Sequence, residues 1–233
     1  MQRSLLDALL EARAAARAVV LLTPLNGDPQ RLLDEAGLEL LALTDAQRAG
    51  VAREALASDR ALTGRSLDVE VLVTPHNPPL RLIIIGAVHI AESLCRIAGE
   101  AGYAVTVVDP RSAFVRAERF PGVALHAQWP QQVLPTLAID QRTAVVLLTH
   151  DPKIDDPALH CVLRTDAFYI GALGSTRTHA RRLERLAAEG LDAAALSRIH
   201  GPAGLNIGAR TPAEIALSIL AQITVELRGV KSS

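Results

Sequence analysis

Two hydrophobic rhythms divide this chain. Beyond residue 79, unbroken apolar runs alternate with stretches of helical periodicity. Residues 82–85, 104–108, 123–126, 144–149 and 168–171 read as strands. Runs that are apolar at nearly every position fit strands buried on both faces of a parallel sheet. Between them, residues 90–101, closed by Gly102, and residues 131–134, stopped by Pro135, read as helices, as do 157–164 and 178–189. Thr211-Pro-Ala-Glu214 joins a capping box to Pro at the first helical position and opens a final helix over 212–227.

Residues 1–78 keep a different rhythm. Residues 4–17 form an amphipathic helical pattern rich in Leu, Ala and Arg, and 18–23 a short strand. Turn residues fill 24–30. Thr44-Asp-Ala-Gln47 predicts a capping box that opens a helix to about residue 57. Residues 67–73 alternate like a half-exposed strand, and Pro75, Pro78 and Pro79 read as a linker. The expected fold class is α/β. A Rossmann-like parallel sheet with helices on both faces, residues 79–233, follows a small α+β domain, residues 1–78.

Composition narrows the partners. Hydrophobic residues make up 49% of the 233 positions and charged residues 21%, a globular balance. A net charge of −1 gives no general attraction to nucleic acid or to an anionic membrane, so neither is expected as a partner. No segment reaches the roughly 20 apolar residues that span a bilayer. The start, Met1-Gln-Arg-Ser-Leu-Leu-Asp7, lacks the apolar run of a signal peptide. Cys95 and Cys161 fall in apolar helical patterns, where Cys packs as a small hydrophobe. A reduced, cytoplasmic setting is expected.

The strongest chemical signal is Arg81-Leu-Ile-Ile-Ile-Gly-Ala-Val-His-Ile-Ala91, followed by Val105-Thr-Val-Val-Asp109. Strand, Gly turn, helix, strand and acid at this spacing make the first half of a dinucleotide-binding fold. The Gly-x-Gly-x-x-Gly fingerprint is met by Gly86, Val88 and Ala91. Gly86 keeps the tight turn and Ala91 allows close helix–strand packing. Val88 puts a branched side chain where the backbone would approach a pyrophosphate.

Open parallel sheets bind ligands beyond the carboxyl ends of their strands. That rim collects Gly86 and His89, Asp109 and Arg111, His150 and Asp151 with Asp155 and Asp156, and the turn Gly171-Ala-Leu-Gly174-Ser-Thr-Arg177. Asp109 could bind ribose hydroxyls or cap the next helix. Gly171, Gly174, Ser175 and Arg177 could form an anion nest at a helix N-terminus, or a plain turn with Ser175 or Thr176 as N-cap. His89 is either a ligand contact or a surface residue. His150 and Asp151 with Asp155 and Asp156 could be metal ligands, acid–base groups or a hydrogen-bonded turn, and His150 and Asp151 are expected as a pair that holds a ligand or gates its release. One His among carboxylates does not match a closed zinc site, so neither metal ligation nor a catalytic residue is assigned. Arg181, Arg182 and Arg185 read as a solvated face, with a phosphate or partner surface as the alternative.

Five pieces in order carry a resemblance. They are Leu82-Ile-Ile-Ile-Gly86, Val105-Thr-Val-Val-Asp-Pro-Arg111, Leu148-Thr-His-Asp151 with Asp155, Tyr169-Ile-Gly-Ala-Leu-Gly-Ser175, and Gly204-Leu-Asn-Ile-Gly208 with Thr211-Pro-Ala-Glu-Ile-Ala-Leu-Ser218. Residues 79 to about 225 thereby resemble the xanthine dehydrogenase accessory family, which includes carbon monoxide dehydrogenase accessory proteins. Val88, Asn206 and Gln222 stand where that pattern carries Gly, Asp and Glu. The first domain lacks the Gly-Gly-x-x-Glu type of segment found in fuller members.

The resemblance implies a chaperone rather than an enzyme. It would bind molybdopterin, the molybdenum cofactor, as cargo, protect it during sulfuration and deliver it to a molybdenum hydroxylase such as xanthine or carbon monoxide dehydrogenase. The rim residues named above are then the expected cofactor contacts. The resemblance also implies a cysteine desulfurase as a further partner and a homodimer. The final helix, with more apolar positions than one face needs, agrees with the homodimer. The alternative is an NAD(P)-dependent oxidoreductase with a degenerate fingerprint. Against it, neither Tyr103 nor Tyr169 is followed by Lys four residues later.

Overall fold

A computed structural model describes residues 2–66 and 69–229. The chain divides between Pro78 and Pro79 into two compact units.

The first unit is an antiparallel sheet with helices. Helix α1 (Arg3–Ala14) precedes β1 (Val19–Pro24), β2 (Arg31–Leu33), α2 (Glu35–Thr44), α3 (Ala46–Ser58), β3 (Leu62–Ser66) and β4 (Val69–His76), with strand order β2-β1-β4-β3. Strand side chains alternate between faces. Val20 and Leu22 therefore pack with Leu38, Leu41 and the alanines of α3, while Leu9 and Ala12 of α1 close over Val19 and Leu32 on the other face.

The hydrophobic pattern alone does not predict α2, β2 or β3. In α2, Leu38 and Leu41 are buried but Leu40 and Leu43 are exposed, so no single apolar stripe is visible. In β3, Gly64 interrupts the strand signal because a side-chain carbon there would sit 3.1 Å from Val51. Two expectations are corrected. Thr44 ends α2, and its hydroxyl donates to the Leu41 carbonyl, so the cap of α3 passes to Asp45, which accepts from Arg48 N at 2.9 Å. Pro75 belongs to β4, opposite Val20, not to a linker. β3 pairs β4 only as far as Val73, so the missing N–H of Pro75 meets no third strand. The first two positions of the strand expected over 67–73 lie outside the described residues.

The second unit runs β5 (Arg81–Ile85), α4 (His89–Glu100), β6 (Ala104–Val108), β7 (Ala124–His126), α5 (Pro130–Val133), β8 (Thr143–Leu147), α6 (Pro152–Val162), β9 (Tyr169–Ala172), α7 (Thr176–Ala188), α8 (Ala193–Ser197), β10 (Ile199–His200) and α9 (Pro212–Arg228). Every strand pairing in its six-stranded sheet is parallel. Leu82, Ile84, Ala144 and Val146 face α4 and α9, whereas Ile83, Ile85, Val145 and Leu147 face α5, α6 and α7. Burial on both faces explains why these strands are apolar throughout. The Thr211 capping box forms as expected, with Glu214 N donating to Thr211 Oγ1 and Thr211 N to Glu214 Oε2.

Helix α6 starts five residues earlier than expected. Asp151 caps it and Pro152 takes the first helical position, so Pro157 sits inside the helix and forfeits one backbone bond. The short α8 and β10 carry too few residues to register in the hydrophobic pattern.

Candidate functional site

The strand order β7-β6-β5-β8-β9-β10 reverses between β5 and β8. In doubly wound sheets the ligand crevice lies beyond the strand ends at that reversal. The rim therefore has two halves, one after β5 and β6, the other after β8 and β9.

In the first half, Gly86 has a φ of +111° and donates its N–H to the Val108 carbonyl at 2.8 Å. A side-chain carbon on Gly86 would lie 2.7 Å from Thr149 Cγ2, so close approach of the two loops needs Gly. Asp109 is fully buried. Its Oδ2 accepts from Ala87 N at 2.8 Å and from an Arg111 Nη at 2.7 Å, and its Oδ1 accepts from Arg111 N and Nε, each at 2.9 Å. Burial acts to raise the pKa of this carboxyl. The Arg111 side chain and the backbone donors outweigh that and hold it below the usual carboxylate range. The chain itself thus fills Asp109, and a ribose hydroxyl would have to displace one of these donors. Arg111 lies 4.7 Å over the Phe114 ring. A cleft of about 410 Å³ beside the Gly86 turn is lined by Val88, His89, Phe114, Arg116 and Arg119, among others. Arg119 is spent on Glu92 at 2.5 Å, and Arg116 Nε donates to the Ala113 carbonyl at 3.0 Å. The His89 side chain is 87% exposed and 3.5 Å from Glu92.

The second half is less spent. His150 follows β8 on the rim, exposed and with a left-handed φ of +61°. Such a conformation in a residue other than Gly is a small store of strain. Asp151 turns to its own helix and accepts from Lys153 N at 3.0 Å. Among the described residues no hydrogen bond joins the side chains of His150 and Asp151. Asp151 serves as the cap of α6, so His150 is the member of the pair left free to face the rim.

Gly171 lies inside β9, one residue short of its end, and not in the turn. Its bare face makes room for Tyr169, whose hydroxyl would be 2.5 Å from a side-chain carbon at that position. That hydroxyl donates to Gln222 Oε1 at 2.6 Å, and the same oxygen accepts from Gly204 N at 2.7 Å. Gln222 therefore ties α9 to β9 and to the loop carrying Gly204.

Gly174 has a φ of +146°. A side-chain carbon on it would lie 3.1 Å from Thr178 Cγ2 and 3.9 Å from His150 Nδ1, which brings the two loops side by side. Ser175 caps α7, accepting from Thr178 N at 3.1 Å. The first N–H groups of a helix have no intrahelical partner. Ser175 takes one of them, which leaves those of Thr176 and Arg177 at the positive end of the helix dipole. Arg177 is exposed in this first turn. Next to it opens a cavity of about 440 Å³, lined by Leu173, Thr176, Asn206, Ile207, Ile215 and neighbours in the 202–209 loop. Among the described residues no charged side chain lines it. Sequence reasoning singled out the 204–208 segment only through the resemblance, because its wall is mostly backbone and apolar side chains.

Beneath this half lies a buried charged layer. Arg182 is 2% exposed, not part of a solvated face, and donates from one Nη to the Leu173 carbonyl at 3.0 Å. Asp155, also 2% exposed, accepts from Thr149 Oγ1 at 2.5 Å and lies 3.7 Å from Arg182. Burial raises the Asp155 pKa above its ordinary value, against the opposing pull of the Thr149 hydroxyl, Arg182 and His150. Arg185 forks onto Asp156 at 2.8 and 3.0 Å. The helical spacing of Asp155 and Asp156 against Arg182 and Arg185 was the available signal, but α6 and α7 had first to be known as neighbours.

Burial pushes the Cys95 thiol up to about 12 and also raises that of Cys161, so neither is a ready thiolate at neutral pH. Among the described residues, no group of three or more His, Cys, Asp or Glu is arranged to hold a metal ion, and no helix is long and apolar enough to cross a membrane.

The five sequence pieces now sit on one framework, and comparison with known families decides their kinship. Residues 82–223 match the family model of the XdhC Rossmann domain. The chain belongs to this family. Among relatives, this XdhC-domain chain is 33% identical over 147 residues to a Bacillus subtilis protein named as a probable subunit of xanthine dehydrogenase, covering 63% of the chain and 42% of that protein. It is 33% identical over 146 residues to the molybdenum cofactor insertion chaperone PaoD of Escherichia coli, covering 63% of the chain and 40% of that protein. It is 31% identical over 157 residues to the uncharacterized protein YqeB of Escherichia coli, covering 66% and 29%. The matched stretch thus spans less than half of each of these relatives. A crystal structure from Bacillus halodurans, described as a xanthine dehydrogenase, superposes with a TM-score of 0.73 at 23% identity, covering 99% of this chain and 66% of that one. At that identity the likeness shows the fold.

Proposed function

We propose that this XdhC-domain chain is a molybdenum-cofactor chaperone that binds the cofactor as cargo and delivers it to a molybdenum hydroxylase, without catalysing a reaction. The observation that carries the reading is the open end of α7. Two amides at a positive helix end, the exposed Arg177, Gly174 and the uncharged 440 Å³ cavity lie side by side. An anionic group at one end and a neutral heterocycle at the other match that division. The cofactor carries both, a phosphate and a fused ring system. His150 lies beside Gly174, and there it would contact the anionic end of the cargo. The relative PaoD, a molybdenum cofactor insertion chaperone, supports the same reading.

The NAD(P) alternative gains no support from the rim. Asp109, which would take the ribose, already accepts from four donors of the chain, and Val88 stands where the fingerprint carries Gly. Gly86, Asp109 and Arg111 are read here as the rigid wall of the crevice, with Ser175 and Arg177 as cargo contacts. A homodimer is part of the proposal, resting on the exposed Leu217 of α9. So is a cytoplasmic site of action, where a cysteine desulfurase would supply sulfur to the bound cofactor.

The test is direct. Protein purified from cells that make the cofactor should release a pterin that fluoresces after oxidation, and His150→Ala should carry less of it. If the parent neither co-purifies with a pterin nor binds added cofactor, the reading is wrong. Release of nicotinamide instead would establish the alternative.

A further inference from the structure

Three rim loops converge on Thr149. Its methyl packs against the Gly86 turn, where any side-chain carbon would come within 2.7 Å. Its hydroxyl donates to Asp155 and accepts from Asp151 N at 3.2 Å, bracketing the left-handed His150. Asp155 lies against Arg182, which reaches from the second turn of α7 back to the Leu173 carbonyl, the last residue before Gly174. A continuous chain of contacts, buried at Asp155 and Arg182, thus runs from the first Gly turn, through the His150 loop, to the start of α7.

The chain is costly to keep. Among the described residues, Asp155 Oδ2 and Arg182 Nε and one Nη are buried without a hydrogen-bond partner. Buried charges that pack poorly are weak evidence for stability, and apolar side chains of the same size would do as well for packing. An ion pair that joined only α6 to α7 would have no reason to end on Thr149 and Leu173. Those two contacts fall on the residues next to His150 and Gly174, the positions in this half of the rim where the backbone is left-handed or glycine-dependent.

We infer that Thr149, Asp155 and Arg182 are positioning residues, a buried strap that fixes the His150 loop and the start of α7 in the relative placement that receives the cargo. None of them touches the ligand. Their effect passes through His150, Gly174 and the α7 amides. The inference rests on the proposed cofactor binding for its functional arm only.

The experiment combines hydrogen exchange with binding of molybdenum cofactor released from a molybdenum hydroxylase. Asp155→Leu with Arg182→Met removes both charges together, so neither is left buried alone. In this double variant the amides of residues 149–151 and 173–176 should exchange at least tenfold faster, and cofactor Kd should rise about tenfold, at a temperature where the protein is fully folded. Thr149→Val cuts the strap at the other end while keeping the methyl. It should give the same pattern, and Thr149→Ser, which restores the hydroxyl, should bring exchange in the His150 loop and Kd back towards the parent. If the double variant does not fold, the Val and Ser pair decides alone. Parental exchange and parental Kd in Thr149→Val, or in a folded double variant, overturn the strap. If the parent binds no cofactor, the proposed function fails, and the exchange data still decide whether the loops are tied.

Discussion

The two halves of the rim use charge in opposite ways. After β5 and β6, every acceptor site of Asp109 is filled and its guanidinium partner is stacked and fixed. After β8 and β9, a left-handed His, a left-handed Gly and the first amides of α7 face outward, and the charges lie one layer below with unmatched atoms. A saturated carboxylate stabilises the fold but offers nothing to a ligand. Unspent donors over a strapped layer offer a site. On the proposed reading, the dinucleotide-like half of this sheet is the wall, and the cargo binds at the half that the Gly-x-Gly-x-x-Gly fingerprint does not describe.

Removing the wall should have the largest effect. Asp109→Ala strips partners from two backbone amides and a guanidinium, and a loss of about 3–5 kcal/mol in urea unfolding is expected, since breaking a buried pair orphans its partner. A loss below about 1 kcal/mol would mean that Asp109 is not the tie between these loops. Gly86→Val comes next. The left-handed φ and the 2.7 Å approach to Thr149 act together, and about 2–4 kcal/mol should be lost.

Gly174→Val sharpens the contrast. Its φ of +146° and 3.1 Å contact with Thr178 predict a smaller stability loss, about 1–3 kcal/mol. It should nevertheless weaken cofactor binding by more than tenfold, whereas damage to the wall should lower binding only as far as it unfolds the protein. If folded Gly174→Val binds like the parent, the α7 turn is structural only.

Acid separates the halves by sign. The folded pKa of Asp109 lies below its unfolded value, so its contribution is present above the ordinary carboxylate value near 4 and is lost as pH falls through the lower folded value. Asp155 is raised, so its contribution is full below the ordinary value and is lost as pH rises through the folded value. Asp109→Asn should flatten the acid limb of a stability–pH profile, and Asp155→Asn should flatten the limb above about pH 4. Identical profiles for the two variants would contradict the assignment. The smallest effect is a gain. His150→Gly should add up to about 1 kcal/mol by relieving the left-handed backbone while lowering cofactor retention. Unchanged retention would remove His150 from the site.

The second unit was legible because its strands are buried on both faces, which writes a continuous apolar run. Caps and helix starts were legible where Ser, Thr or Asp precede a turn, as at Thr211, and were displaced where two such residues adjoin, as at Thr44 and Asp45. Gly86 could be read as a turn, since only Gly fits beside Thr149. That Asp109 would be filled by Arg111, or that Arg182 would be buried, could not be read. The burial of Arg182 depends on α6 and α7 meeting, which no local pattern encodes, whereas Arg111 is only two residues from Asp109 but the spacing does not show which way its side chain turns. Gly171 misled for a local reason, its bare face making room for Tyr169 two residues earlier in the same strand.

The central claim is that cargo binds at the β8 and β9 half. Matched charge reversals on exposed arginines test it most directly. Arg177→Glu sits at the start of α7 and Arg116→Glu at the cleft beside the Gly86 turn. Titration with molybdenum cofactor should show Arg177→Glu binding about tenfold or more weakly than the parent, the size expected for reversing a charged contact, and Arg116→Glu within about threefold of it. Equal losses in both variants, or a loss confined to Arg116→Glu, would contradict the account.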